Sequence, residues 1–309
     1  MADESAKAPA HPSSRPVTPL VAAALLGLVI LLWGVNWPVM KRVVGQMPPM
    51  LFVAARLALG TATLIPVAWV AGQLRLPARR DLPVLLSVGV LQMTGFMMLV
   101  TLALQHVPAG RAGILAYTTP LWVVPLALIF LKEKLSPLKV GGLLLGLAGV
   151  AVLFNPAAFD WSDPAVLTGN GMLMAGAALW AVNIIQVRGH RWVGTPLSLA
   201  PWQMGMATLL TGGFALATED VAHIQWSGEL VTLLVYNGPL ATAFCFWAMV
   251  TVNRALPAIT LSLSTLAVPV VGLVASALWL GEAMTFTNIA GLGFIAAGLV
   301  AVAAADVRR

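Results

Sequence analysis

Residues 31–41 read LLWGVNWPVMK and residues 178–188 read ALWAVNIIQVR. At a displacement of 147 residues, Leu32-Trp33 meets Leu179-Trp180, Asn36 meets Asn183 and Lys41 meets Arg188. The match extends outward, where Arg56 meets Gln203 and Thr61 meets Thr208. At 149, which absorbs a two-residue difference in one loop, Pro108-Ala109 meets Pro257-Ala258 and Pro120 meets Pro269. The same shift pairs Glu133 with Glu282, Gly142 with Gly291 and Gly149 with Gly298. Chance similarity among apolar helices does not generate Trp, Asn, Pro and Glu pairs at nearly one displacement. Internal repetition fixes architecture, so it is read before any motif.

Composition says where each repeat resides. Of 309 residues, 60% are hydrophobic and 9% charged. A soluble domain is about half apolar and a quarter charged, so the excess must be buried in lipid. A spanning helix takes about 20 mostly apolar residues. Ten such stretches are found, near 20–40, 50–72, 82–104, 109–131, 138–155, 168–188, 197–217, 230–252, 257–280 and 286–305. Five spans per repeat is an odd number, so the second copy enters the membrane with opposite orientation. The expected fold is an all-α membrane protein of ten transmembrane helices, arranged as two inverted five-helix repeats. Residues 1–19 form a flexible cytoplasmic tail, 20–155 the first repeat, 156–167 an extracytoplasmic linker, 168–305 the second repeat and 306–309 a second short tail.

The orientation follows from basic residues. Thirteen of the 17 Lys and Arg fall on the side of the N-terminus; three, Lys41, Arg42 and Arg111, fall on the other, and Arg56 lies within a span. Both termini are therefore expected in the cytoplasm. The first apolar run passes signal-peptide length with no A-x-A site, and reads as a retained helix. The single cysteine, Cys245, forms no disulfide within the chain and reads as a core residue.

Inverted repeats are characteristic of secondary transporters, whose substrate site lies near the midplane between the two halves. Spacings of three and four put Trp33, Asn36, Trp37 and Met40 on one face of the first span, with Trp180 and Asn183 on the matching face of the sixth. Of these, Trp33, Asn36, Trp180 and Asn183 are the candidate cavity residues, because both repeats have them. Asn36 and Asn183 are equally read as polar glue between helices, and Trp37 as an interfacial anchor. Pro38 loosens the end of the first span by removing a backbone hydrogen bond. Arg56 is the one charge deep in a span, a functional signal by default. It either attracts a substrate carboxylate or snorkels outward. Its counterpart Gln203, with Tyr117, Tyr236 and Trp247, completes the candidate binding set; such aromatic stripes also read as plain core. Pro120 and Pro269, in mid-span, supply compliance. Glu133 and Glu282 tie helix ends to neighbours.

The paired L-W-x-x-N, the mid-span Pro and the L-x-E that closes the fourth span of each half (Leu131 to Glu133, Leu280 to Glu282) resemble the ten-helix, EamA-type branch of the drug/metabolite transporter superfamily. The resemblance runs from about residue 20 to 305. It implies a multi-pass carrier of the bacterial inner membrane that exports neutral or aromatic amino acids or related small metabolites.

Absences narrow the reading. No Asp or Glu lies mid-span, which speaks against carboxylate-based proton coupling of the kind used by small multidrug exporters of the superfamily. No GxxxxGK[ST] loop is present to supply an ATP drive. The four histidines are scattered over the tail and span ends, with no carboxylate set for catalysis or metal, so an enzyme is not expected. No cofactor, metal or nucleic acid is expected; the partners are a small-molecule substrate and membrane lipid, and a monomer is the favoured state. The alternatives are a multidrug or lipid/isoprenoid translocator, which requires a groove open to the side, and a membrane-embedded enzyme.

Overall fold

The computed structural model describes residues 17–107, 109–154, 162–280 and 285–307. Every regular element among them is helical. Seven helices are long and apolar enough to cross a membrane, and two shorter apolar helices accompany them. The chain is a multi-pass membrane protein.

Proline starts many of the helices. It occupies the first helical position of α1 (Pro19–Val44), α2 (Pro49–Val70), α6 (Pro137–Phe154), α7 (Pro164–Gly189) and α8 (Pro196–Thr218). That position has no intrahelical acceptor for an N–H, so a proline there loses nothing and presets φ. Side chains cap the exposed amides that follow. Thr18 accepts from Val21, Asp163 from Ala165, and Thr195 and Ser198 form a reciprocal capping box. The Asp163 cap starts α7 at Pro164, inside the segment assigned to the linker.

Two spans depart from a simple helix. The fourth is divided into α4 (Ala109–Ala116) and α5 (Pro120–Phe130). The ninth is divided into α10 (Ala258–Ser264) and α11 (Ala267–Leu280). Pro120 is thus not mid-helix but opens α5. It cannot donate to Ala116, and the Thr119 hydroxyl donates to that carbonyl instead at 3.0 Å. Thr118 does the same for Leu115 at 2.7 Å. Pro269 sits in the first turn of α11, just past the break.

The remaining long helices, α3 (Arg79–His106) and α9 (Gly228–Ala255), each contain a π-helical stretch, Ser87–Phe96 and Tyr236–Phe244. The stretches begin 149 residues apart. Gly89 and Gly238, one in each, let a neighbouring helix approach. A Cβ on Gly89 would collide with Met206 of α8, and a Cβ on Gly238 with Leu59 of α2. Met206 and Leu59 are themselves 147 residues apart.

Helix α12 (Phe286–Val307) lies along α6, α2 along α8, α1 along α11 and α7 along α5. The α6–α12 contact is the tightest. A Cβ on Gly142 would stand 2.8 Å from the Gly298 carbonyl, and one on Gly149 2.7 Å from the Gly291 carbonyl. In lipid, helices gain little by hiding apolar surface from one another, so close backbone packing between small residues supplies the attraction.

Candidate functional site

The site is built where α1 meets α3, α4, α7 and α9. Trp33 is buried, and its indole Nε1 donates to the Ala241 carbonyl at 2.9 Å. Ala241 lies in the π-helical stretch of α9, where a carbonyl is freed from the regular ladder. Trp33 meets Trp180 edge to face, with ring centroids 5.2 Å apart, and Phe246 at 5.5 Å. Phe96 closes on Trp180 at 4.4 Å. Tyr117, in the break between α4 and α5, faces Trp37 at 6.3 Å and Trp180 at 6.2 Å.

Above this aromatic cluster, towards the C-terminal end of α1, a cavity is lined by Trp33, Asn36, Trp37, Met40, Arg56, Phe96, Met97, Val100, Thr101, Tyr117, Trp180 and Phe246. Besides the hydroxyl residues Thr101 and Tyr117, its lining includes an amide and a guanidinium. Asn36 is 4% exposed, and its Oδ1 has no hydrogen-bond partner. Arg56 is also 4% exposed. Its Nε donates to Thr242 Oγ1 at 2.9 Å and one terminal nitrogen reaches Met40 Sδ at 3.3 Å. Its guanidinium carbon lies 5.5 Å from the Phe52 ring centroid. No carboxylate among the described residues pairs with it.

The structure therefore gathers Trp33, Asn36, Arg56, Tyr117 and Trp180 into one cavity, with Trp37 and Met40 from the same face of α1, and leaves Asn183, Gln203, Tyr236 and Trp247 outside its lining. Asn183 faces the opposite side of the Trp pair. Its Nδ2 donates to Gln92 Oε1 at 2.6 Å, and the Ser87 hydroxyl donates towards Asn183 Oδ1 and Gln186 Oε1. Gln203 is buried and bonds the Val84 carbonyl at 3.4 Å. The Tyr236 hydroxyl donates to the Leu32 carbonyl at 2.7 Å. Trp247 is half-buried beside Phe244.

Two sequence expectations are corrected. Trp37 is no interfacial anchor, because it is 5% exposed and wedged between α4 and α11, against Gly113 and Gly272. Arg56 does not snorkel, since Thr242 and Met40 hold its head group inside the bundle. Nor is it the only buried charge. Lys139, counted among the basic residues of the cytoplasmic side, is 1% exposed and donates to Thr260 at 2.7 Å. Asp81 is fully buried, accepting from the Val193 and Gly194 amides and from His190.

Sequence reading missed Phe246, and on α3 it missed Phe96, Met97, Val100 and Thr101. Their spacing does define one face of α3. The π-helical stretch just before them adds residues per turn, so a 3.6-residue phase carried from Leu82 points to the wrong side. Of the structural candidates, Glu133 accepts from the Ala258 and Ile259 amides at 2.8 and 3.2 Å, capping α10. Glu282 lies outside the described residues. Pro38 is inside α1, which continues to Val44 without a break.

The sequence as a whole decides the family. The EamA-like transporter family matches residues 20–155 and, separately, 167–304. The chain belongs to the EamA-like transporter family. Its relatives include the uncharacterized transporter YvbV of Bacillus subtilis (strain 168), 28% identical over 91% of this chain and 90% of that protein. A probable amino-acid metabolite efflux pump of Salmonella typhimurium is 27% identical over 88% of this chain and 91% of its own. The aromatic amino acid exporter YddG of Ancylobacter novellus is 28% identical over 73% of this chain and 78% of its own. A solved crystal structure at 25% identity superposes with a TM-score of 0.75, covering 94% of this chain and 99% of that one. An EamA-like transporter needs a small-molecule site, and the buried cavity at the Trp33–Trp180 contact is the candidate.

Proposed function

We propose that this EamA-like transporter exports neutral or aromatic amino acids, or closely related small metabolites, across the bacterial inner membrane by alternating access. The observation that carries this reading is the pairing of Arg56 and Asn36 in one aromatic-walled cavity. The Arg56 guanidinium offers donors for a carboxylate. Asn36 Oδ1 is an unused acceptor for an ammonium, and the faces of Trp37 and Tyr117 favour the same positive charge. The cluster of Trp33, Trp180, Phe96 and Phe246 accepts an apolar side chain. An apolar pocket with a few aimed polar groups suits such a ligand.

The architecture in this reading is two inverted five-helix repeats making ten spans, with both termini cytoplasmic. Support comes from contacts that pair repeat-equivalent positions. Thr61 and Thr208 share a hydrogen bond at 3.1 Å, Trp33 packs on Trp180, and Gly142–Gly298 mirrors Gly149–Gly291. A two-fold relation makes such reciprocal contacts necessary. The basic-residue bias puts the cavity on the outer side of the Trp pair. The Ser87–Gln92–Asn183–Gln186 network then closes the inner side, and rocking of the halves exchanges the two.

A lipid-translocating reading has one observation in its favour. An apolar groove between α2 and α8, lined by Thr61, Ile65, Trp202, Met206 and Thr208 among others, carries no charged side chain. Purified protein in liposomes preloaded with labelled Trp, Phe, Met, Thr and Lys separates the two. Efflux of the neutral and aromatic members supports the proposal. Scrambling of labelled lipid with no amino-acid movement would replace it.

A further inference from the structure

Arg56 poses an electrostatic problem that the substrate solves only part of the time. A cationic side chain inside a spanning segment is costly even on permissive insertion scales. Buried charges are normally paired. Here the acceptors supplied by the protein are a neutral hydroxyl, Thr242 Oγ1, and a thioether, Met40 Sδ. A thioether is a weak acceptor. No acidic residue among the described residues pairs with the guanidinium, and Arg56 is one of the residues that line the cavity. During a transport cycle the carrier must also return without substrate, and the charge then needs another partner.

We infer that Arg56 binds a small monovalent inorganic anion, chloride under physiological conditions, whenever no carboxylate-bearing substrate occupies the cavity. Thr242 and Met40 fix the guanidinium so that its free edge points at the anion. Phe52 screens its other side. A halide fits where a carboxylate oxygen would otherwise lie, so the two compete for one site. The competition step rests on the amino-acid reading of the cavity; the anion site itself does not.

The test is thermal unfolding of the full-length protein in detergent, with chloride or bromide replacing gluconate at constant ionic strength, beside equilibrium binding of radioactive chloride. Wild type should show a saturable rise in Tm of a few degrees and saturable binding of about one chloride per chain. Arg56→Gln should lose both. If Arg56→Gln does not fold, chloride binding to wild type should still be displaced by acetate, a minimal carboxylate, and not by methylammonium. Absence of saturable chloride binding to wild type, or equal displacement by the cation, overturns the proposal. If chloride binds through Arg56 but no amino acid displaces it, the anion site stands and the amino-acid reading fails. If amino acids are transported and chloride has no effect, the anion site alone fails.

Discussion

Trp33 and Trp180, 147 residues apart in the chain, meet edge to face with ring planes at 88°, and only Trp33 spends its indole N–H on a backbone carbonyl. No acceptor for the Trp180 indole is found among the described residues. Two copies of one sequence element thus meet at the centre of the molecule in different hydrogen-bonding states. Trp33→Phe should cost about 1–3 kcal/mol of stability, because it orphans the Ala241 carbonyl. Trp180→Phe should cost less. Thermal unfolding in detergent ranks the two. Either residue changed to Ala should lower transport at least tenfold in liposomes while the protein still elutes as a single species. Normal transport by both Ala variants would remove the central-site assignment.

Arg56 and Gln203 occupy equivalent positions but unlike surroundings. Exchanging Arg56 for Gln should weaken transport of substrates with a free carboxylate selectively, while sparing their amides. A carboxylate–guanidinium contact at a buried site is worth roughly 1.5–3 kcal/mol, or about 10–100-fold in half-saturation. Competition assays with an amino acid and its amide give the comparison. Equal loss for both compounds assigns Arg56 to packing.

Glu133 caps α10 through two amides. Glu133→Gln leaves one acceptor oxygen and removes the charge, and should destabilise by about 1 kcal/mol; Glu133→Ala removes both bonds and should cost more, about 2 kcal/mol. The order Ala worse than Gln worse than wild type, read from unfolding midpoints, is the expected result. Unchanged midpoints in both variants would show that water caps the helix equally well.

The α6–α12 contact leaves no room for a side chain at Gly149. Gly149→Val should push the two helices apart and cost about 1–3 kcal/mol or more, seen as loss of monodisperse protein. Gly27, whose added Cβ meets nothing within 4 Å, supplies the control: Gly27→Ala should leave the protein intact.

Thr61 and Thr208 touch where α2 passes α8. Cysteines at both positions, in a chain with Cys245 replaced by Ser, should join rapidly under mild oxidation, because the two oxygens lie 3.1 Å apart. The joined protein migrates faster on a denaturing gel. Failure to join would contradict the α2–α8 pairing.

Much of this could be read from the chain. Apolar runs of spanning length give the helices, and Pro after Thr, Ser or Asp marks where several of them start. The displacement that pairs Trp33 with Trp180 also pairs Gly142 with Gly291 and Gly149 with Gly298, so the repeat and its packing glycines were legible. Legibility failed at the fourth and ninth spans, where proline had been read as a hinge inside a continuous helix. Thr118 and Thr119 satisfy the freed carbonyls, and the helix divides cleanly instead of bending. It failed again for Lys139, whose position near a span end gave no sign of its burial against Thr260.

Asn36 and Asn183 mark the boundary between the two kinds of knowledge. Sequence alone set them at the same place in each repeat, in helices apolar enough for lipid and behind a tryptophan one turn earlier. Which of them faces the cavity was decided by tertiary structure. A spanning helix is apolar on the lipid side and on the packed side alike, so its hydrophobic pattern carries little information about facing. The π-helical stretches of α3 and α9 then shift the phase of every residue after them. Contacts between helices settle the outcome: Gln92 and Ser87 occupy both ends of the Asn183 amide, and the Asn36 oxygen has no partner among the described residues.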